Sequence, residues 1–292
     1  MRVPDPIRKC VAFVYCNEPS GFRPVGTAFF VSTEISTQPW HLMYTVTAKH
    51  LIGYIRQKSL DQIVHLRVNL RAGGTAVIEI PASAWWDHPT DSSVDVSVHP
   101  EGPDWHFDFH SYPLIVGDAA TSSIVTPEVI AQQRISVGEE VFLSGLFATH
   151  TGQGKNIPII RIGNIAAMPE EKIHVGYLGP IDAYLIEARS IGGLSGSPVF
   201  VHLGEIRLVP DGVIAYTPGH AKEPGGIFYL LGLVHGHFDV RETTPPLTNE
   251  KINMGIAIVV PVSKILETIS HPELLEIKKK RIEKFAPQRE SR

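Results

Sequence analysis

Short apolar runs, each bounded by glycine, proline or polar residues, recur along most of this 292-residue chain. Such runs favour β-strands separated by turns, and the 25 glycines and 23 prolines supply the turn residues. The length is large for one simple domain but fits two packed barrels that form one unit. We therefore expect an all-β fold of two packed six-stranded antiparallel β-barrels. The predicted strands are 11–16, 26–31, 40–47, 63–70, 75–80, 94–98, 141–146, 159–167, 184–188, 198–201, 230–235 and 255–260.

Two changes of pattern divide the chain. Residues 1–115 are predicted to form the N-terminal barrel. Residues 116–136 are predicted to connect it to a second barrel at 137–262, because they end a stretch of mixed polarity, 99–136, that has prolines at 100, 103, 113 and 127. Within the connection, Thr126 followed by Pro127 is a typical start of a short helix. Residues 263–292 are predicted to be a helical tail.

The helical tail is predicted from the spacing of its apolar residues. Val262, Ile265 and Ile269 recur at helical intervals after Pro261. Ser270 and Glu273 have the spacing of a capping box, so a second helix is expected to start at that serine.

Composition excludes several classes of partner. The formal net charge is -4, and 43% of residues are hydrophobic against 19% charged, which gives no reason to expect nucleic acid or an anionic membrane surface. No stretch approaches the ~20 apolar residues of a membrane span, and residues 11–15 are too short for a secretory apolar region. Cys10 and Cys16 are expected to be buried, unpaired thiols in a reducing compartment. We expect a cytoplasmic protein that acts on proteins or peptides, with no cofactor and no metal.

Residues 190–200, SIGGLSGSPVF, hold Ser195 between glycines ahead of an apolar run. Alone, this is a weak signal, since such runs are usually tight turns. Two further stretches change that: an apolar run leads into His50, and another begins at Asp95. The three residues can each lie on a separate strand-end loop of one compact unit, which is the arrangement that an acyl-transfer triad needs.

Each predicted residue has a chemical task. His50 is suited to take the proton of the weakly nucleophilic Ser195 hydroxyl, since histidine titrates near neutrality. Asp95 would hold the other ring nitrogen and stabilise the imidazolium. The backbone N–H groups of Gly193 and Ser195 would bind the developing oxyanion, and a glycine at 193 permits the backbone angles required.

The motifs TAKH, DVSV and GLSGSPVF follow one another along the chain in the same order as the corresponding motifs of the trypsin-like (chymotrypsin-fold) serine peptidases, a family that the chain resembles. The serine loop is similar to that of the glutamyl endopeptidases. The runs VGEEVFLSGL, IPIIRIGNIAAM and MGIAIVVPVSKIL are similar to the bacterial HtrA proteases. The resemblance spans about residues 8–268 and implies a serine endopeptidase working through an acyl-enzyme intermediate, with its active site between the barrels. No PDZ domain is expected after it.

The sequence departs from this family at several points. Leu194 stands where digestive trypsins have the aspartate that pairs with a freed N-terminus, so activation by that ion pair is not expected. The long segment 201–229 is either a surface excursion or a lid over the cleft.

Specificity is the least determined part of the site. The resemblance puts Arg189 near the floor of the substrate pocket and His235 and His237 on its wall. These groups favour an acidic substrate side chain, unless Arg189 points outward and leaves an apolar pocket. His235, His237 and Asp239 also have a metal-binding spacing, which common histidine placement explains better. A catalytically silent, protein-binding member of the family stays open as the alternative function.

Overall fold

The computed structural model describes residues 3–34, 41–175, 179–188, 193–204, 207–208, 214–215, 227–241 and 251–285. No helix within these ranges is long and apolar enough to cross a membrane. The predicted all-β fold with a helical C-terminal end is confirmed. The domain boundaries at residues 115, 136 and 262 stay a prediction.

The N-terminal half is built on an eight-stranded sheet. Its strands lie in the spatial order β5-β4-β1-β2-β3-β7-β6, and β8 pairs in parallel with β2. Helix α1 spans Asp5–Lys9, helix α2 spans Lys49–Lys58, and a 3₁₀ turn spans Ala82–Ala84. The strands are β1 Val11–Glu18, β2 Gly21–Glu34, β3 His41–Thr47, β4 Ile63–Asn69, β5 Thr75–Pro81, β6 Trp86–Asp87, β7 Ser97–His99 and β8 Tyr112–Pro113.

Strand β1 shows why the strand sequences of this half are continuous apolar runs and not a strict alternation of apolar and polar residues. Ala12, Val14 and Cys16 pack on one side with Ile52 of α2, whereas Val11 belongs to the cluster on the other side. A strand that is covered on both faces buries successive side chains. The predicted strands that match β1 to β5 are confirmed, but the predicted strand 94–98 is shortened to β7. The two-residue strands β6 and β8 are too short to leave a periodic signal.

The connection between the halves contains helix α3, Pro127–Gln133. Thr126 Oγ1 accepts the Val129 N–H at 3.2 Å, and Pro127 stands in the first turn, so the predicted helix start is confirmed. The helix ends at Arg134, which has a left-handed backbone.

The C-terminal half contains a closed barrel in the order β10-β13-β18-β17-β14-β9, formed by the six strands that the sequence predicts there. Two small ladders, β11 with β12 and β15 with β16, lie outside the barrel. The strands are β9 Glu140–Gly145, β10 Ile159–Ala167, β11 Ile173–Val175, β12 Gly179–Ile181, β13 Tyr184–Glu187, β14 Pro198–His202, β15 Arg207–Leu208, β16 Ile214–Ala215, β17 Phe228–Arg241 and β18 Lys251–Pro261.

Two helices follow the barrel, α4 at Val262–Ile269 and α5 at Pro272–Phe285. The predicted capping role of Ser270 is wrong, because the Ser270 N–H bonds back to Leu266 O and closes α4. His271 Nδ1 instead accepts the Glu273 N–H at 3.2 Å. The Glu273 carboxylate is used elsewhere, since its Oε2 accepts the Trp86 Nε1–H and ties α5 to the N-terminal half.

One apolar cluster joins the two halves. Phe142 and Phe200 stack at 5.4 Å and belong to the same core cluster as Val31 and Leu42 of the first sheet. The Tyr112 hydroxyl donates to Phe228 O at 3.2 Å across this boundary. The halves therefore share a core, and loops from both can hold one site in a fixed geometry.

Candidate active site

His50 lies in the first turn of α2, directly after β3. The sequence predicts a strand-end loop here, but the chain continues as a helix to Lys58. Leu51, Ile52 and Ile55 are the buried face of that helix, and their spacing was the signal available in the sequence. The His50 side chain keeps 28% exposure, so one edge of the ring lies against the hydrogen-bonded interior and another is open to solvent.

Asp95 is the buried anchor of the site, with a side-chain exposure of 0%. Its Oδ1 accepts the His50 backbone N–H at 2.8 Å, and its Oδ2 accepts from the His50 ring Nδ1 at 2.7 Å. His235 Nδ1 contacts the same Oδ2. Burial alone would raise the pKa of the Asp95 carboxyl, but hydrogen bonds from His235 and His50 outweigh it and hold that pKa below the usual range. The carboxylate is therefore ionised and fixes the orientation of the His50 ring.

Ser195 lies on a turn between β13 and β14 whose shape depends on two glycines with positive φ, Gly193 at 101° and Gly196 at 80°. The Ser195 hydroxyl donates to His235 O at 3.1 Å. Within the described chain, no hydrogen bond joins this hydroxyl to the His50 ring. Such contacts are often long before substrate binds. The structure thus brings His50 to Asp95 and places Ser195 next to His235.

The backbone N–H groups of Gly193 and Ser195 have no hydrogen-bond acceptor among the residues that the structure describes. By contrast, the Gly196 N–H donates to Val234 O at 2.8 Å and the Ser197 N–H to Leu194 O at 2.9 Å. Within the described part of the chain, no protein acceptor therefore competes with a ligand for the two N–H groups that the sequence assigns to oxyanion binding.

Thr27 holds the serine turn, and sequence reasoning missed it. Its N–H donates to Ser195 O at 2.9 Å, and its hydroxyl donates to Gly193 O at 2.9 Å while accepting the Leu146 N–H at 2.9 Å. Thr27 lies on β2 and is fully buried, so the first half of the molecule fixes the backbone of a turn in the second. A threonine inside an apolar strand leaves only a weak sequence signal for such a role.

The predicted pocket residues have different outcomes. Arg189 lies outside the described residues. His237 is half-buried on β17, where it pairs with Ala257 of β18. The His235 imidazole is engaged with Asp95, and its side chain is 9% exposed. The pocket roles of these residues stay predictions. Of the segment 201–229, whose lid role is also untested, the structure describes 201–204, 207–208, 214–215 and 227–229.

A cavity of about 510 Å³ opens beside the candidate site. His50 and Gly193 border it, and much of the remaining wall is apolar. The lining residues are Arg23, Pro24, Val25, His50, Leu51, Tyr54, Ala148, Thr149 and Gly193. Its volume is that of a pocket able to hold a side chain or a short peptide segment.

One ligand atom each from His50, Asp95 and His235 lie within 4.8 Å of one another, a donor set that zinc accepts. The Asp95 oxygens already accept from a backbone N–H and two ring nitrogens. These bonds satisfy the buried carboxylate, and the expected absence of a metal at this cluster stays a prediction.

No family model and no curated protein matches the chain. Solved structures similar to it include Deg5, at 14% identity and a TM-score of 0.47, with 89% of this chain and 87% of that chain covered. The MamO protease domain from Magnetospirillum magneticum has the same identity and TM-score over 90% of this chain and 96% of that chain. The HtrA-type protease AlgW with decapeptide also has 14% identity and a TM-score of 0.47, over 92% of this chain and 65% of its own.

Proposed function

We propose that this chain is a serine endopeptidase that hydrolyses peptide bonds through an acyl-enzyme intermediate. The observation that carries the proposal is the double contact between His50 and Asp95, through the backbone N–H and through ring Nδ1. This contact fixes the ring so that Nε2 is the nitrogen left to act as a base. The Thr27 N–H donates to Ser195 O, so the serine turn is held by β2, the strand that pairs with β3 just ahead of His50.

In the proposed reaction, Ser195 Oγ attacks the substrate carbonyl carbon while its proton passes to His50 Nε2. The ionised Asp95 stabilises the imidazolium that forms. Collapse of the tetrahedral intermediate breaks the C–N bond, and the leaving amine takes the proton from His50. Water then attacks the acyl-enzyme by the same proton path and frees the acid product and Ser195.

The negative charge of the tetrahedral intermediate needs donors that are already in place. The Gly193 and Ser195 N–H groups are without an acceptor in the described chain. The Thr27 hydroxyl donates a hydrogen bond to Gly193 O and so fixes the backbone of the turn. A donor that is fixed before the reaction loses no energy to reorganisation. Losing one such donor lowers kcat about 10²- to 10³-fold.

The substrate class in this proposal is a protein or peptide, whose chain would lie along the cavity beside His50. The apolar wall formed by Val25, Leu51 and Tyr54 suits an apolar substrate side chain there. On the acyl side, Arg189 and His237 would favour Glu or Asp. A peptide library scanned at that position with the wild type and Arg189→Ala tests this, and the same aliphatic preference in both would remove Arg189 from substrate selection.

We further propose a cytoplasmic setting, because both cysteines are buried and unpaired, as is usual in reducing compartments.

A protein-binding module without catalysis is the second candidate. The observation that favours it is the Ser195 hydroxyl, which donates to His235 O and not to the base. Rotation about one side-chain bond would release this hydroxyl, so the two functions differ in whether the serine can be activated.

Covalent labelling by a fluorophosphonate probe decides between them, because labelling needs an activated serine. We expect the wild type to be labelled and Ser195→Ala to be unlabelled. Ser197→Ala is the matched control, since this serine belongs to the same turn but is fully buried against Gly145. Loss of labelling only in Ser195→Ala supports the peptidase. An unlabelled wild-type protein would favour the binding module.

A further inference from the structure

Asp95 Oδ2 contacts two imidazoles, and the proposed reaction uses only one of them. His50 Nδ1 lies 2.7 Å from this oxygen, and His235 Nδ1 contacts it from β17. The two rings meet edge to face with centroids 5.4 Å apart. His235 also borders the nucleophile, since its carbonyl accepts the Ser195 hydroxyl. It therefore touches the carboxylate with its side chain and the serine with its backbone.

The chemistry of the carboxylate fixes where the protons lie. An ionised carboxylate can only accept hydrogen bonds, so each ring must carry a proton on Nδ1. In a neutral His50 ring this leaves Nε2 unprotonated, as a general base requires. For His235 the same bond forms whether the ring is neutral or cationic, so its charge is free to change without breaking the contact.

We propose that His235 is a positioning residue that holds Asp95 for His50, and that protonation of His235 switches the base off. This rests on the proposed peptidase function. If His235 is cationic, Asp95 is already neutralised, and the imidazolium that forms on His50 develops beside a like charge. The active form therefore has both rings neutral.

Few titratable groups of the described chain directly contact the His235 ring. Asp95, from the segment before β7, and His50, from the start of α2, contact it directly. On β18 the facing positions are apolar, because Val234 pairs with Val259 and Gly236 with Ile258. Further titratable groups near the site are His237 on the same strand and the residues that border a crevice with Asp95, which are Asp91, Lys172, Asp182 and Lys264.

The test compares His235→Asn with His235→Ala. Asparagine offers an amide N–H near the position of Nδ1 but does not titrate, whereas alanine removes the donor. We expect kcat/KM of the Ala variant at alkaline pH to be about 10- to 100-fold lower than that of the wild type, which is the usual effect of losing a hydrogen bond to a charged group. We expect kcat/KM of the Asn variant to be at least about tenfold higher than that of the Ala variant. In the wild type, log kcat/KM should steepen on the acid side to a slope of two. In the Asn variant the slope should stay at one, and in the control His237→Asn it should still reach two. A wild-type slope of one throughout would overturn the proposal.

A second measurement needs no catalysis. Histidine NMR titrations in the Ser195→Ala background should show that His235→Asn moves the titration midpoint of His50 upward, because a cationic neighbour has been removed. An unmoved midpoint would overturn the role of His235, whether or not the protein is a peptidase. A moved midpoint in a protein that hydrolyses no peptide would support the His235 coupling and contradict the proposed function alone.

Discussion

The base side and the nucleophile side of the site are built in opposite ways. On the base side, the Asp95 carboxylate accepts one backbone and two ring N–H groups, so side-chain bonds fix the geometry. On the nucleophile side, the turn around Ser195 is shaped by glycine backbone angles, and Gly193 and Ser195 keep unbonded N–H groups within the described chain. A base needs one orientation and one tautomer, whereas an oxyanion site needs donors that no protein group has taken. The difference follows from these tasks.

Removing one partner from each side should have the largest effect. We expect Ser195→Ala and His50→Ala each to lower kcat on the order of 10⁶-fold, and the double variant to lose little more, because both take part in one proton transfer. Rates on a cleaved peptide measure this. Losses that add in the double variant would mean that the two sides do not act as one unit.

Gly196→Ala tests whether the nucleophile side depends on backbone shape. Gly196 has a φ of 80°, and an added Cβ would overlap Thr27 O. The left-handed backbone alone costs about 1–3 kcal/mol for alanine, so we expect a lower free energy of unfolding and lost activity. Denaturant titration measures the free energy of unfolding.

Gly53→Ala is the matched control for this substitution. Gly53 lies in α2 with open space around it, so alanine should raise stability there by about 0.5–1 kcal/mol. If alanine changed the free energy of unfolding equally at the two glycines, the serine turn would not depend on the left-handed backbone of Gly196.

Thr27→Val tests the link between the two sides. The substitution keeps the side-chain shape but leaves Gly193 O without its donor and the Leu146 N–H without its acceptor. Each orphaned buried group costs about 1–3 kcal/mol, and we expect kcat to fall about tenfold or more. Thr27→Ser keeps the hydroxyl and should retain most of the activity. If Val and Ser variants have the same kcat, the hydroxyl does not position the turn.

The smallest expected effect is on the pH dependence of the free energy of unfolding, which tests the base side. The folded-state pKa of Asp95 is lowered, so its ionised form stabilises the fold above the unfolded value of about 3.9. That contribution is lost as the pH falls below about 4 toward the folded pKa. The stability difference between wild type and Asp95→Asn should therefore shrink between about pH 5 and pH 3 in denaturant titrations. A constant difference would mean that the bonds to His50 and His235 do not favour the ionised form.

The sequence by itself determined the longer strands of the first half and the six strands of the closed barrel, and its motif order named His50 and Asp95 as residues of one site. These follow from local patterns, because apolar periodicity, turn residues and motif order are all written along the chain. The helix after His50 was missed, since its apolar face is short and Gly53 interrupts the helical pattern.

Only the tertiary structure decided the contacts between distant segments. It brought Thr27 to the serine turn and the His235 ring to Asp95. Neither contact has a local signature, because each depends on how two halves of the chain pack around a shared core. A buried threonine or histidine acquires its partners only when that packing removes it from water, where an unpaired polar group is costly.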